Sequence, residues 1–114
     1  MVRGQNEDSV STYYSTDDIM DANRRAGSHF FDADTMRFFK SRVSPQAYAG
    51  RLGFLYFLTS ERNLDQPREY SVRLFDPEQP AGIETVGEFG QYTTSAAAHK
   101  AARTMAEWSR QQAA

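Results

Sequence analysis

Few side chains in this sequence are equipped for chemistry. His29 and His99 are the only histidines, and neither stands at a spacing that would complete a metal site or pair a nucleophile with a base. His29 precedes Phe30 and Phe31, which suits a satisfied, partly buried imidazole, and His99 falls on the flank of an apolar helical stripe. Asp32 and Asp34 have the look of a carboxylate pair, but a helix N-cap followed by a first-turn acid accounts for both. There is no cysteine, which excludes thiolate catalysis, zinc–thiolate sites and disulfides. The glycines are isolated turn residues, with no phosphate-cradling loop among them. These residues predict a protein that is not an enzyme and that uses neither cofactor nor metal.

What remains is recognition chemistry. Arg37, Phe38, Phe39, Lys40 and Arg42 bring rings and cations together in one short stretch, and aromatic and arginine side chains dominate the binding energy of protein interfaces. Phe38 and Phe39 are neighbours on a helical segment and cannot both face the same way, so this stretch is the first candidate for a contact patch with a protein partner. A second candidate is a nucleic-acid face in which Arg68 and Arg73 contact phosphates from the wet side of a strand. Glu61, Glu69, Glu84 and Glu88 lie on the same strands and oppose it, so nucleic acid is the second reading.

The charge distribution sharpens this. The chain carries a formal −2 overall, yet residues 23–75 hold nine Arg or Lys against five acids, while residues 1–22 hold five acids against Arg3. A length of 114 residues predicts one domain able to bury a core without staples. No apolar run approaches the roughly 20 residues that span a bilayer, and Met1 to Thr12 is too polar for a signal peptide; a soluble protein of the cytoplasm, without membrane contact, is expected.

The elements that must position these residues are legible from pattern. Residues 1–15 read as a flexible acidic and polar tail, with Tyr13 and Tyr14 placed to dock, and residues 16–114 as a single domain. Ser15 or Thr16 caps a first helix, with Asp17 and Asp18 in its first turn, Ile19, Ala22 and Ala26 as its apolar stripe and Gly27 as its stop. Asp32 caps a second short helix, Ala33 to Ser41, with Phe31 and Met36 in the positions of a hydrophobic staple. Pro45 demotes Arg42 to Tyr48 to an edge strand or extended arm. Phe54 to Leu58 is the longest apolar run and marks the central strand, running to about Arg62. Tyr70, Val72 and Leu74 alternate with Glu69, Ser71 and Arg73, the pattern of a strand with one wet face. Ile83 to Tyr92 reads as a further strand with a bulge at Gly87. Thr94 caps a last helix whose stripe is Ala98, Ala101, Met105 and Trp108, so Met105 and Trp108 should be buried on the sheet. The sum is an α+β fold, a three- to four-stranded antiparallel sheet with two short N-terminal helices and a C-terminal helix packed on one face.

Two resemblances bear on function. His29-Phe30-Phe31-Asp32, Thr35 to Val43, Thr59-Ser60-Glu61-Arg62, Tyr70-Ser71-Val72-Arg73 and Thr85 to Phe89 resemble a family of short uncharacterised proteins carried by bacteriophages and other mobile elements, especially of actinobacteria. That similarity runs from about Thr16 to Met105 and implies an origin and not a mechanism; the expected partner is a host protein, met through the Arg37 to Lys40 patch in the host cytoplasm. Tyr70 to Phe89 followed by Thr94 to Ala98 is similar, more weakly, to the strand-and-helix arm-binding domain of phage-type integrases, which implies a sheet laid in the DNA major groove. Glu84 and Glu88 depart from that pattern where a DNA-reading sheet favours Arg, Lys or neutral polar side chains.

Overall fold

The computed structural model describes residues 15–112, so all of the expected tail except Ser15, Tyr13 and Tyr14 included, lies outside the described residues. The elements are α1 (Thr16–Arg25), α2 (Ala33–Phe38), β1 (Arg42–Ala49), a 3-10 turn (Arg51–Gly53), β2 (Leu55–Glu61), β3 (Glu69–Phe75), β4 (Ile83–Val86) and α3 (Ser95–Gln112). The strands form one antiparallel sheet in the order β1-β2-β3-β4, each beside its sequence neighbour. The α+β class and the C-terminal helix lying on the sheet are as the pattern predicts.

Local chemistry explains the helix starts. Ser15 Oγ accepts from the Asp18 amide while the Asp18 carboxylate accepts from the Ser15 amide, a closed capping box. Asp32 accepts from the Asp34 amide at 2.8 Å and caps α2, and Phe31 and Met36 lie in one apolar cluster. Helix α2 stops three residues sooner than Ser41 because Lys40 turns left-handed (φ 49), letting the Ser41 amide bond back to the Met36 carbonyl at 2.8 Å.

Strand β2 organises the domain because it is apolar on both faces. Tyr56 and Leu58, with Val72 of β3, meet Ala98, Ala102 and Ala106 of α3; Leu55 and Phe57, with Phe75, meet Ile19 of α1 and Phe31. The sheet is therefore covered on both sides, α3 on one and α1 with the Phe30-Phe31 segment on the other, rather than carrying all its helices on a single face. A one-sided cover would leave Leu55, Phe57 and Phe75 in water, at a cost of about 1.5–3 kcal/mol per side chain.

The same two-sided burial corrects three further expectations. Arg73 is not on a wet face: it is 7 % exposed. Trp108 is 56 % exposed and does not close the core, since the stripe of α3 that meets the sheet is Ala98, Ala102, Ala106 and Ser109. Small residues win there because the helix lies close: a Cβ on Gly50 would sit 2.8 Å from the Tyr56 ring and 2.9 Å from Ser109 Oγ. In α1 the buried stripe is Thr16, Ile19 and Asn23, with Ala26 exposed, because the Asn23 amide crosses the chain to donate to the Pro80 carbonyl.

The edges follow the turn residues. Pro45 lies in an irregularity of β1 between Val43 and Ala47, as an edge strand allows. Strand β4 ends at Val86 instead of bulging through to Tyr92, because Gly87 and Gly90 both adopt positive φ and turn the chain back. The Gly90 amide donates to Ser71 Oγ at 2.8 Å, and Tyr92 rejoins β3 only through a bridge to Tyr70. That turn carries Phe89 over the sheet face that holds Arg73.

Candidate binding site

Antiparallel register builds the centre of the site. Phe57, Arg73 and Thr85 lie side by side across β2, β3 and β4, with Thr59 and Glu61 further along β2 on the same face. From that position Arg73 Nε donates to Thr59 Oγ1 at 2.8 Å and Nη1 donates to Thr85 Oγ1, while Nη2 lies 3.9 Å from Glu61 Oε2. Its guanidinium carbon stands 5.2 Å from the ring centroids of both Phe30 and Phe89, within cation–π range of each. Burial lowers the Arg73 pKa from its ordinary value, and Glu61 pulls it back up. Burial pushes the Glu61 carboxyl above its ordinary value of 4.5, against the downward pull of Arg73 and, after it, of Thr59, Arg68 and Ser41. The Thr59 and Ser41 hydroxyls lie near enough to the carboxyl to act on its pKa, yet Glu61 Oε1 is buried and meets no donor in hydrogen-bonding geometry.

Beside this pair opens a cavity of about 240 Å³, walled by Phe30, Phe31, Met36, Phe39 and Phe89 with Glu61 and Arg73 among its lining. A wider depression of about 370 Å³ adjoins it, sharing Phe39, Glu61 and Phe89 and reaching Arg62 and Arg68. Two of the lining rings are open to solvent, Phe89 57 % and Phe39 48 % exposed, and Phe38, outside the lining, is 78 % exposed. Phe38 packs edge-on against Phe39, with centroids 4.8 Å apart.

The residues singled out in the sequence divide between two places. Phe38 and Phe39 both face outward, Phe39 into the cavity wall. Arg37 is exposed and tied to Asp34, and Lys40 is exposed at the left-handed end of α2. Arg42 is exposed and lines a separate cavity with Arg68 near Ser44 and His99. Arg68 Nη1 donates to Ser60 Oγ at 2.9 Å, and Ser60 alternates with Thr59 and Glu61, so Arg68 reaches the α3 side of the sheet while Arg73 lies on the other. Arg68 also lines the depression that shares Glu61 with the Arg73 cavity, so it stands at the margin between the two faces. Sequence reading missed Glu61, Phe30 and Phe89 as members of the site; Glu61 and Arg73 become partners only through the β2–β3 register.

A second cluster ties α3 to the edge strand. Tyr48 Oη lies 2.8 Å from His99 Nδ1, and Ser44 Oγ lies 3.4 Å from Nε2. A serine beside an imidazole suggests a nucleophile and base, but burial first and Arg103 second lower the His99 pKa below 6.5, and no carboxylate is among the groups acting on it. It is a neutral bridge. Because the folded-state pKa lies below the unfolded one, its contribution to stability is complete above 6.5 and is lost as pH falls through the folded value. Thermal unfolding between about pH 5 and 8 should show the melting temperature falling on the acid side, and His99→Gln should reduce that fall. An identical acid slope in both proteins contradicts this role.

Among the described residues, no group of three or more His, Asp or Glu side chains is placed to hold a metal, and no helix is long and apolar enough to cross a membrane. No curated protein and no solved structure matches the chain. The model of a family of unknown function, DUF7447, matches residues 15–103, from the cap of α1 through the whole sheet and into α3, and the chain belongs to that family.

Proposed function

We propose that this chain is a non-enzymatic accessory protein of a phage or other mobile element that acts by binding a host protein. The observation that carries the reading is a pair of exposed rings, Phe39 and Phe89, lining a cavity, with Phe38 exposed and packed edge-on against Phe39. Exposed aromatics beside Arg37 and Lys40 have the composition of an interface hot spot. Lys40 adds to this, since a side chain in the left-handed region costs on the order of 1–2 kcal/mol that glycine would not. The origin rests on the resemblance of the Phe30 to Val43 and Tyr70 to Phe89 motifs to short phage proteins. DNA binding has less support: Arg73 is buried and already bonded, and Arg68 is tied to Ser60.

The test is capture from host lysate with three proteins: the natural chain, Arg37→Ala with Phe38→Ala, and Lys100→Ala as a remote surface change. A partner held by the first and third and bound at least about tenfold more weakly by the second supports the reading, hot-spot residues costing roughly 2 kcal/mol or more. A partner held equally by all three, or none above background, overturns it. So does tight binding of mixed-sequence duplex DNA at about 0.15 M salt that is lost on Arg68→Ala.

A further inference from the structure

We propose that the cavity between Phe39 and Phe89 receives one tyrosine side chain of the partner protein, its phenol hydroxyl donating to the Glu61 carboxylate. This rests on the protein-binding reading above and names what that partner presents. At about 240 Å³ the cavity is smaller than the roughly 300–1,000 Å³ of pockets that hold drug-sized ligands, so it suits one ring rather than a cofactor. Its walls are rings and a methionine, which pack well against another ring.

The floor decides the polar end. Arg73 already uses Nε and Nη1 on Thr59 and Thr85, and Phe30 and Phe89 each lie within cation–π range of its guanidinium. The unmet requirement is on Glu61, where Oε1 meets no donor in hydrogen-bonding geometry even with the Thr59 and Ser41 hydroxyls nearby, and a buried acceptor left unpaired is costly. A carboxylate turns readily about its terminal bond, so one oxygen can meet an incoming donor while the other stays with Arg73. A cationic tip would meet Arg73 at the floor, and an anionic tip would meet Glu61. A neutral donor satisfies the acceptor without disturbing the pair. Phenol places that donor at the far end of the ring, where a ring entering between Phe39 and Phe89 can point it at Glu61; indole carries its N–H on the side.

N-acetyl-L-tyrosinamide and N-acetyl-L-phenylalaninamide differ by one hydroxyl and serve as the probes, with amide shifts of the labelled 114-residue chain as the readout. The tyrosine probe should shift Phe39, Glu61, Arg73 and Phe89 saturably and bind at least about tenfold more tightly than the phenylalanine probe, as a site built around a hydrogen bond discriminates. In Glu61→Leu combined with Arg73→Met, which leaves no buried charge unpaired, the two probes should bind within about twofold of each other. Met36→Trp, which fills the cavity from its wall and leaves the floor, should abolish both. Equal binding of the two probes, discrimination that survives loss of Glu61, or no saturable shift overturns the proposal. If the probes fail while capture of a partner still depends on Phe38, only the tyrosine is wrong; if capture is indifferent to Phe38, the surface reading itself falls.

Discussion

Phe57→Ala should remove about 3–5 kcal/mol of stability, a large part of the roughly 5–15 kcal/mol that holds a domain of this size. Phe57 is fully buried at the centre of the sheet, with the Phe31 ring 6.2 Å away and Leu55, Phe75 and Ile19 in the same cluster. Trp108→Ala, in contrast, should cost only on the order of 1–2 kcal/mol, since more than half of that ring is already in water. Denaturant unfolding of the two variants side by side tests the phase of α3 directly. A Trp108 loss equal to the Phe57 loss would mean that the helix is rotated from the position described.

Arg73→Ala should be nearly as damaging, at about 3–5 kcal/mol, because it leaves the Glu61 carboxylate buried without its countercharge and two threonine hydroxyls without a donor. Replacing both charges, Arg73→Met with Glu61→Leu, should restore the natural stability or exceed it by up to about 4 kcal/mol. Equilibrium denaturation of the single and double variants reads the difference. If the double variant is as stable as the natural protein and no longer tells the tyrosine probe from the phenylalanine probe, the pair is present for recognition and not for folding. A double variant as unstable as Arg73→Ala would show instead that the fold needs this pair.

How much of this was legible in the sequence depends on how local each signal is. The caps at Ser15 and Asp32, the edge position of the Pro45 strand and the apolar centre at Leu55 to Leu58 are set by a few adjacent residues, and the structure has each of them. The phase of α3 was not legible in the same way. A search for large apolar residues at helical spacing finds Met105 and Trp108, but a helix that approaches Gly50 and Tyr56 closely presents its smallest side chains, and Ala102, Ala106 and Ser109 carry no hydrophobic signal of that size. The alternation in Glu69 to Phe75 gave the right face for Tyr70, Val72 and Leu74, while the dry state of the opposite face depends on α1 and Phe30-Phe31, far away in the chain. The exposed rings of the candidate site were visible as an excess of aromatics in a helix too short to bury them all. Their partner Phe89 was not, since a turn at Gly87 and Gly90 had to bring it there.

The two margins of the sheet limit how anything can attach to it. A chain that docks by adding itself as a fifth strand needs a straight row of free amides and carbonyls. At one margin β1 is interrupted by Pro45, which has no amide to offer, and by the irregular register between Val43 and Ala47. At the other, β4 is only four residues long before Gly87 turns the backbone away, and Glu84 stands exposed on it. Neither margin is a template on which further copies can stack into a cross-β array, so the exposed rings of Phe38, Phe39 and Phe89 can stand in water without the sheet itself inviting polymerisation.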